Sequence, residues 1–460
     1  MRKIQIIIGS SLIVVVVAAV CGLYYYQSTR FNSHVSINHT KVGGLTAEQA
    51  LKVLGSTVLK NDVYVGEDKI VDGKDTKTGF TQKDLPSIEK LIKSQQTLFP
   101  SSKTANYSLQ PAKVDQYRSQ TLKKLVEDKL ISLNKSLLPP KDAEASLVQG
   151  EIIVSKSAAG KQYDIPQLLN HYKKHRYSSE IHLAPVYIQP IKADSPIVTK
   201  EKSVLQELAK QTVDYQVQKK VYSLKGSELI QNAAVNKDLK VTIDPERINK
   251  RIAEINDSQS TLNKNFYFKT HSGSSVTVKG ESYGWAINVD KETKRVQEAF
   301  EKGEKLLLAD HIYGEGWSTY GTGYDAVTNN GIGDTYAEVS IAEQRIWIYK
   351  NGKMAFTTNV VTGRHNTGED TPKGVWYVMY KETPSVLEGS AVGHLNYSVK
   401  VDFWAPFTLS GCGFHDASWR TNWTSDAYLT AGSGGCVNTP SSVMKTVFDN
   451  LSKNEPVVVY

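Results

Sequence analysis

Phe414-His415-Asp416-Ala417, followed by Ser433-Gly434-Gly435-Cys436-Val437-Asn438 with its cysteine twenty-one positions after the histidine, is the stretch on which the reading of this chain turns. A cysteine attacks a carbonyl as thiolate. At its ordinary pKa only a few per cent is ionised near neutral pH, so a nearby imidazole is the usual activator. Glycines permit tight turns that aim backbone N–H groups at one point, as an anionic tetrahedral intermediate requires. Cys436 and His415 therefore read as nucleophile and base of a cysteine acyl-transfer site, with Ser433, Gly434 and Gly435 forming the turn that supplies oxyanion donors.

Other readings of the same residues exist. Cys412 as a small core hydrophobe with His415 as a core histidine is one. A zinc site completed by His394 is another, but it needs three or four ligands and the spacing follows no standard pattern. A Cys412–Cys436 disulfide would block the nucleophile, which makes it at most an inactive redox form. Trp404, Trp419 and Trp423 flank the motif, where packing is the simpler role and an aromatic wall over a peptide groove the other. Asp416, Asn438, Trp404, Trp419 and His394 are the candidates for support or substrate binding. No metal or cofactor is expected.

From Ala337 onward the pattern is one of short strands. These are Ala337–Ile341, Arg345–Tyr349 after which Lys350-Asn351-Gly352-Lys353 turns, Thr357–Thr362, Val375–Tyr380 and Val457–Tyr460. Closely spaced strands with few helices predict a small, mostly β domain over 334–460. The stretch before it is rich in Gly, Thr and Asn and reads as a linker, 316–333. Further upstream the chain repeats itself. Ile152-x-Val154, Gly160 and Asp164-Ile165 match Val276-x-Val278, Gly284 and Asn288-Val289 at a constant offset of 124. Each copy follows a proline-started amphipathic helix and runs into an apolar strand, which predicts two α+β units, 100–204 and 205–315, suited to spacing or binding. Before them, in 27–99, Thr46-Ala47-Glu48-Gln49 fits a capping box ahead of Ala50, Leu51 and Leu54.

Residues 1–26 decide the compartment. Arg2 and Lys3 precede an uncharged run from Ile4 to Tyr26, long enough to cross roughly 30 Å of hydrocarbon as a helix. The basic pair favours a cytoplasmic N-terminus, Tyr24-Tyr25-Tyr26 suits the outer interface, and the rest of the chain is then extracytoplasmic at the cell wall. A cleaved signal peptide is the alternative, against which the run is long and the cleavage signal poor. The composition, 40% hydrophobic and 22% charged, is that of a globular protein. Three cysteines exclude a disulfide framework, and a net charge of +8 without a dense basic cluster excludes nucleic-acid binding.

Thr362-Gly363, Thr371-Pro372-Lys373-Gly374, His415-Asp416-Ala417 and Ser433 to Asn438, in that order, resemble the signature of the L,D-transpeptidase (YkuD-like) catalytic domain over about 337–460. Val42-Gly43-Gly44-Leu45-Thr46 and the duplicated units resemble the peptidoglycan-binding domains that precede it in Gram-positive bacteria. The resemblance implies a multidomain protein that builds peptidoglycan. Cys436 would attack the carbonyl of the third residue of a donor tetrapeptide stem and expel the terminal D-alanine, leaving a thioester. His415 would take the thiol proton and pass it to the leaving amine. An acceptor amine from a neighbouring stem would then form a 3→3 cross-link, and carbapenems would acylate the same sulfur. An L,D-carboxypeptidase, in which water accepts, and an inert wall-binding or anchoring protein are the rival functions. Many relatives carry Ser-His-Gly-Cys where this chain has Gly434, which leaves His415 the one motif histidine for proton transfer.

Overall fold

The computed structural model describes residues 2–95, 101–175 and 179–460. The expected boundary at 99 and 100 lies outside the described residues. The chain forms two compact units, one of residues up to 143 with 155–195, the other of 144–154 with 196–460.

The first unit begins with a 28-residue helix, Arg2–Thr29, whose Leu12–Thr29 portion is apolar enough to cross a membrane. At 1.5 Å per residue the helix measures about 42 Å, more than the roughly 30 Å of a hydrocarbon core. Next comes a small core of Phe31, Val35, Ile37, Val42, Ala50, Leu54, Ile88 and Ile92. Thr46 caps the Ala47–Ser56 helix, with Gln49 N donating to Thr46 Oγ1 at 3.3 Å and Thr46 N to Gln49 Oε1 at 3.1 Å. A second core gathers Val63, Val65, Leu122, Val126, Leu130, Leu168, Ile181 and Leu183. Here the strand Ile181–Leu183 pairs in parallel with Val63–Val65.

In the second unit the same parallel pairing recurs between Leu306–Leu308 and Thr212–Val217, beside the antiparallel partner Lys220–Lys225. Apolar faces of the helices Glu246–Gln259 and Val289–Lys302 bury Ile248, Ile252, Ile255, Val296 and Phe300. The hairpin Ala145–Val148/Glu151–Val154 is part of this unit. Its first strand pairs with Ala233–Val235, completing a sheet with Val241–Ile243. The next hairpin, Asn265–Lys269/Ser275–Lys279, reaches forward in the same way. Its Phe266, Phe268 and Val278 share a core with Tyr336, Val375 and Tyr377. At its turn the His271 ring stacks on Trp347 at 3.6 Å, and its Nδ1 lies 2.8 Å from Oε1 of the fully buried Glu338. The glycine-rich connection 316–333 packs as it runs: Ser318 N donates to the Tyr377 hydroxyl at 2.8 Å, and Gly331 O accepts from that of Tyr283 at 2.8 Å.

In the C-terminal domain we number the elements β1 (Tyr336–Ser340), β2 (Arg345–Lys350), β3 (Lys353–Asn359), β4 (Gly374–Tyr377), β5 (Ser385–Ala391), β6 (His394–Val401), β7 (Trp404–Pro406), β8 (Gly413–Asp416), β9 (Val437–Thr439) and β10 (Pro456–Val459), with helices α1 (Ala427–Ala431) and α2 (Ser441–Asn450). One sheet runs β3-β2-β1-β10-β4, with β10 parallel to β1. A second runs β7-β8-β9, with β8 and β9 parallel. Val339, Ile346, Ile348, Val457 and Val459 of the first meet Ala405, Phe414 and Val437 of the second and Met444 and Val447 of α2 in one core. Hairpin β5–β6 stands apart from both sheets. The strand expected over Thr357–Thr362 ends at Asn359. Beyond it Thr362 N turns to the side chain of the buried Gln344, at 2.8 Å.

Candidate active site

Strand alternation assembles the site. In the β8–β9 pair, Phe414 faces Val437 and His415 faces Asn438. Phe414 and Val437 enter the core, so His415 and Asn438 stand on the opposite face, and Cys436, two residues before Asn438, joins them there. Trp404 on β7 is the cross-strand partner of His415, and their rings are 5.9 Å apart.

His415 is buried, and its Nδ1–H donates to the Asp416 carbonyl at 2.8 Å, which fixes the tautomer and leaves a lone pair on Nε2. The Asn438 carboxamide satisfies both its ends in one orientation. Its nitrogen then donates to His415 Nε2 at 3.1 Å, and its oxygen accepts from Arg420 Nη2 and Nε at 3.1 and 3.2 Å. Burial pushes the His415 pKa down, and the Arg420 charge pushes the same way against the hydrogen bond to Asp416. The imidazole is therefore neutral near pH 7.

The Cys436 thiol lies 3.5 Å from the Gly411 carbonyl. Burial, with a smaller push from Cys412, raises its pKa to about 12, while the Gly413 N–H pulls the other way. No hydrogen bond joins Cys436 to His415 among the described residues, so the resting pair is a thiol and a neutral imidazole. Cys412 is buried, its own pKa is raised by that burial, and both cysteines are free.

Two side chains shape the glycine turn before Cys436. Ser433 Oγ donates to the Cys436 carbonyl at 2.6 Å and accepts the Gly435 N–H at 3.1 Å. Thr371 Oγ1 donates to the Gly435 carbonyl at 2.8 Å and accepts the Gly363 N–H at 3.0 Å. Gly435 has φ +115, and a Cβ there would lie 2.8 Å from Cys412 Sγ, so only glycine fits. Beside Gly434 sits the tip of hairpin β5–β6. A Cβ on Gly434 would lie 3.0 Å from that of Ala391. Glu369 ties this tip down, its Oε1 accepting from Val392 N and its Oε2 from the Thr367 hydroxyl, both at 2.6 Å.

The remaining candidates divide. Asp416 bonds the imidazole through its backbone only; its carboxylate accepts from Asp402 and Phe403 N–H groups at 2.9 Å and so secures the end of β6. Trp419, half exposed, stacks near the imidazole at 5.8 Å. His394 is exposed on the hairpin, and no hydrogen bond or ring contact among the described residues joins it to His415 or Cys436. Sequence reading gave no role to Thr371 or Arg420, and grouped Tyr397 with the aromatic residues flanking the motif; its phenol pKa is raised by burial and then by the two thiols. Thr371 was within the quoted signature and Arg420 one residue past Trp419, but a hydrogen bond across the fold leaves no local pattern.

Residues 334–459 match the YkuD family model, the L,D-transpeptidase catalytic domain, and residues 200–307 match a peptidoglycan binding domain model. Among solved structures, the chain is 30% identical to a cysteine-to-serine mutant of the Enterococcus faecium L,D-transpeptidase, over 57% of this chain and 100% of that one, with a TM-score of 0.47. It is 42% identical to the E. faecium catalytic domain acylated by ertapenem, over 28% of this chain and 97% of that one, with a TM-score of 0.26. L,D-transpeptidase 3 of Mycobacterium tuberculosis, with a faropenem-derived adduct, is 21% identical over 27% of this chain and 60% of that one, TM-score 0.24. No curated protein matches the chain. The 334–459 match defines the C-terminal domain as an L,D-transpeptidase catalytic domain of the YkuD type. The chain thus carries an L,D-transpeptidase catalytic domain with a peptidoglycan-binding domain ahead of it.

Proposed function

We propose that this L,D-transpeptidase is held in the cytoplasmic membrane by Arg2–Thr29 and makes 3→3 peptidoglycan cross-links through a thioester on Cys436. The observation that carries the reading is the shared face of β8 and β9, which brings a neutral, tautomer-fixed imidazole and a thiol to one surface under a glycine turn. With its pKa near 12, the thiol is almost wholly protonated at neutral pH, so attack needs the base in the same step. When a donor stem enters, His415 Nε2 exchanges its Asn438 contact for the Cys436 proton. The sulfur then adds to the carbonyl of stem residue three. Gly435 N–H is occupied by Ser433, so the oxyanion falls to the N–H groups of Gly434 and Cys436. Collapse of the adduct breaks the amide bond, and the imidazolium gives its proton to the departing D-alanine nitrogen. The acceptor amine attacks the thioester and regenerates the thiol.

Intact-mass analysis of the full chain in detergent, incubated with a tetrapeptide-stem muropeptide, tests this. A covalent tripeptide adduct is expected on the native chain and none on Cys436→Ala, while an adduct on that variant refutes the nucleophile. Dimer formation marks transpeptidation. Free tripeptide alone would mark a carboxypeptidase instead.

A further inference from the structure

Two arginines converge on the nucleophile turn from different elements. Arg364 follows Gly363, which pairs with Ser433; its N–H donates to the Ser433 carbonyl at 2.9 Å, and a Cβ on Gly432 would lie 2.5 Å from its Cα. Arg420 comes from the turn after β8. Its Nη1 donates to the Ala431 carbonyl at 2.6 Å, one residue from Gly432, and its other nitrogens hold the Asn438 oxygen. The two guanidinium-bearing chains thus bracket Ala431-Gly432, and the Arg420 pKa is lowered first by burial and then by the Arg364 charge.

Like charges at close quarters in a partly buried place are costly unless an anion lies between them. Neither arginine forms an ion pair among the described residues. Glu369, whose pKa is lowered against burial by the Thr367 hydroxyl, the Val392 N–H and the Arg364 charge, accepts its hydrogen bonds from Thr367 and Val392, and Asp416 accepts its own from Asp402 and Phe403. Arg364 Nε is buried without a hydrogen-bond partner, and of its five N–H donors only one on Nη1 has an acceptor, Val392 O at 3.4 Å. Arg364 thus lacks a planar, bidentate anion acceptor, a shape a carboxylate has, while Arg420 keeps one N–H on each of Nη1 and Nη2.

We infer that Arg364 and Arg420 form a clamp for the terminal carboxylate of the donor stem, selecting stems that end one residue beyond the bond to be cut. This rests on the reading of Cys436 as nucleophile toward tetrapeptide stems. One residue spans about 3.8 Å between Cα atoms, so that carboxylate falls a few ångströms from the reacting carbonyl. Arg420 is joined to His415 through Asn438 alone, and Arg364 lies on the Ser433 side. A stem longer by one residue carries an amide at this place, with no charge for the clamp.

The test compares acylation of the full chain by a tetrapeptide-stem muropeptide and by the same stem with its terminal carboxylate converted to a carboxamide. The native protein should favour the acid by about tenfold or more in kcat/KM, a factor typical of a lost charge-assisted contact. In Arg364→Gln that preference should shrink to about threefold or less, and Arg364→Lys should restore part of it. Equal use of acid and amide by the native protein overturns the clamp while leaving the proposed function intact. A loss of the same factor on both substrates in Arg364→Gln also overturns it, because the residue would then serve only the fold. No acylation by either stem overturns the proposed function, and the clamp with it.

Discussion

Thr371→Val replaces a hydroxyl by a methyl of nearly the same shape at a site 1% exposed. The valine leaves two buried backbone groups without partners, the Gly363 N–H and the Gly435 carbonyl, formerly bonded at 3.0 and 2.8 Å. An unsatisfied buried polar group costs about 1–3 kcal/mol, so the pair should cost about 2–5 kcal/mol, less a fraction recovered by the added methyl. The loss has a chemical side as well. Thr371 and Ser433 hold Gly435, and through it Cys436, so a displaced turn should slow acylation about a hundredfold, as misplacement near 1 Å does. Urea unfolding followed by tryptophan emission reads the first effect, since all seven tryptophans lie at 285 or beyond and report the second unit alone. Adduct formation by intact mass reads the second. Thr371→Ser keeps the hydroxyl and should recover most of both. A stability loss below about 0.5 kcal/mol, or unchanged acylation, would show that the turn does not depend on this hydroxyl.

Acylation should stay near its maximum as pH falls to the usual imidazole value of about 6.5 and drop below it, because burial lowers the His415 pKa and the neutral ring is the base; an inflection above pH 7 refutes this. The same lowered pKa makes the folded state lose stability as pH falls below about 6.5, where the unfolded chain takes up a proton that the folded one resists; His415→Gln should remove that slope from a urea-midpoint series. Asn438→Ala frees His415 Nε2 but unfixes Arg420, and a loss of about tenfold or more in acylation is expected, measured by mass at fixed stem concentration. Gly435→Ala forces a side chain into φ +115 and against the Cys412 sulfur; adduct formation should fall even in Gly435→Ala with Cys412→Ala, since the second change relieves the contact and not the dihedral.

Cys436, His415 and the glycine turn stand out in the sequence because the proposed chemistry demands particular residues at short separation. The strands of the first β-sheet were legible because Ile346, Ile348, Val457 and Val459 announce a buried face. Hairpin β5–β6 was not: Val386 and Leu395 are exposed, both of its faces are largely solvated, and no alternation marks it. Arg364 and Arg420 read as ordinary surface cations, since only the pairing of Gly363 with Ser433 and the fold of the loop after β8 bring them to one place. The repeat at offset 124 was legible as a pattern, but the parallel pairing of its last strands with Val63–Val65 and Thr212–Val217 was not, since those partners lie far upstream. Which sheet the Ala145–Val154 hairpin completes was not, because a strand edge carries no address for a partner some ninety positions away.

That forward-reaching hairpin has a practical consequence. Sequence boundaries and structural boundaries differ along this chain, so a fragment started at Pro196 would omit residues 144–154 and strip the neighbour from Ala233–Val235. The bared strand would offer its N–H and C=O groups to any other chain, a route to self-association during expression. A soluble version cut at residue 144 keeps that edge covered, and should run as a monomer in gel filtration where the shorter one does not.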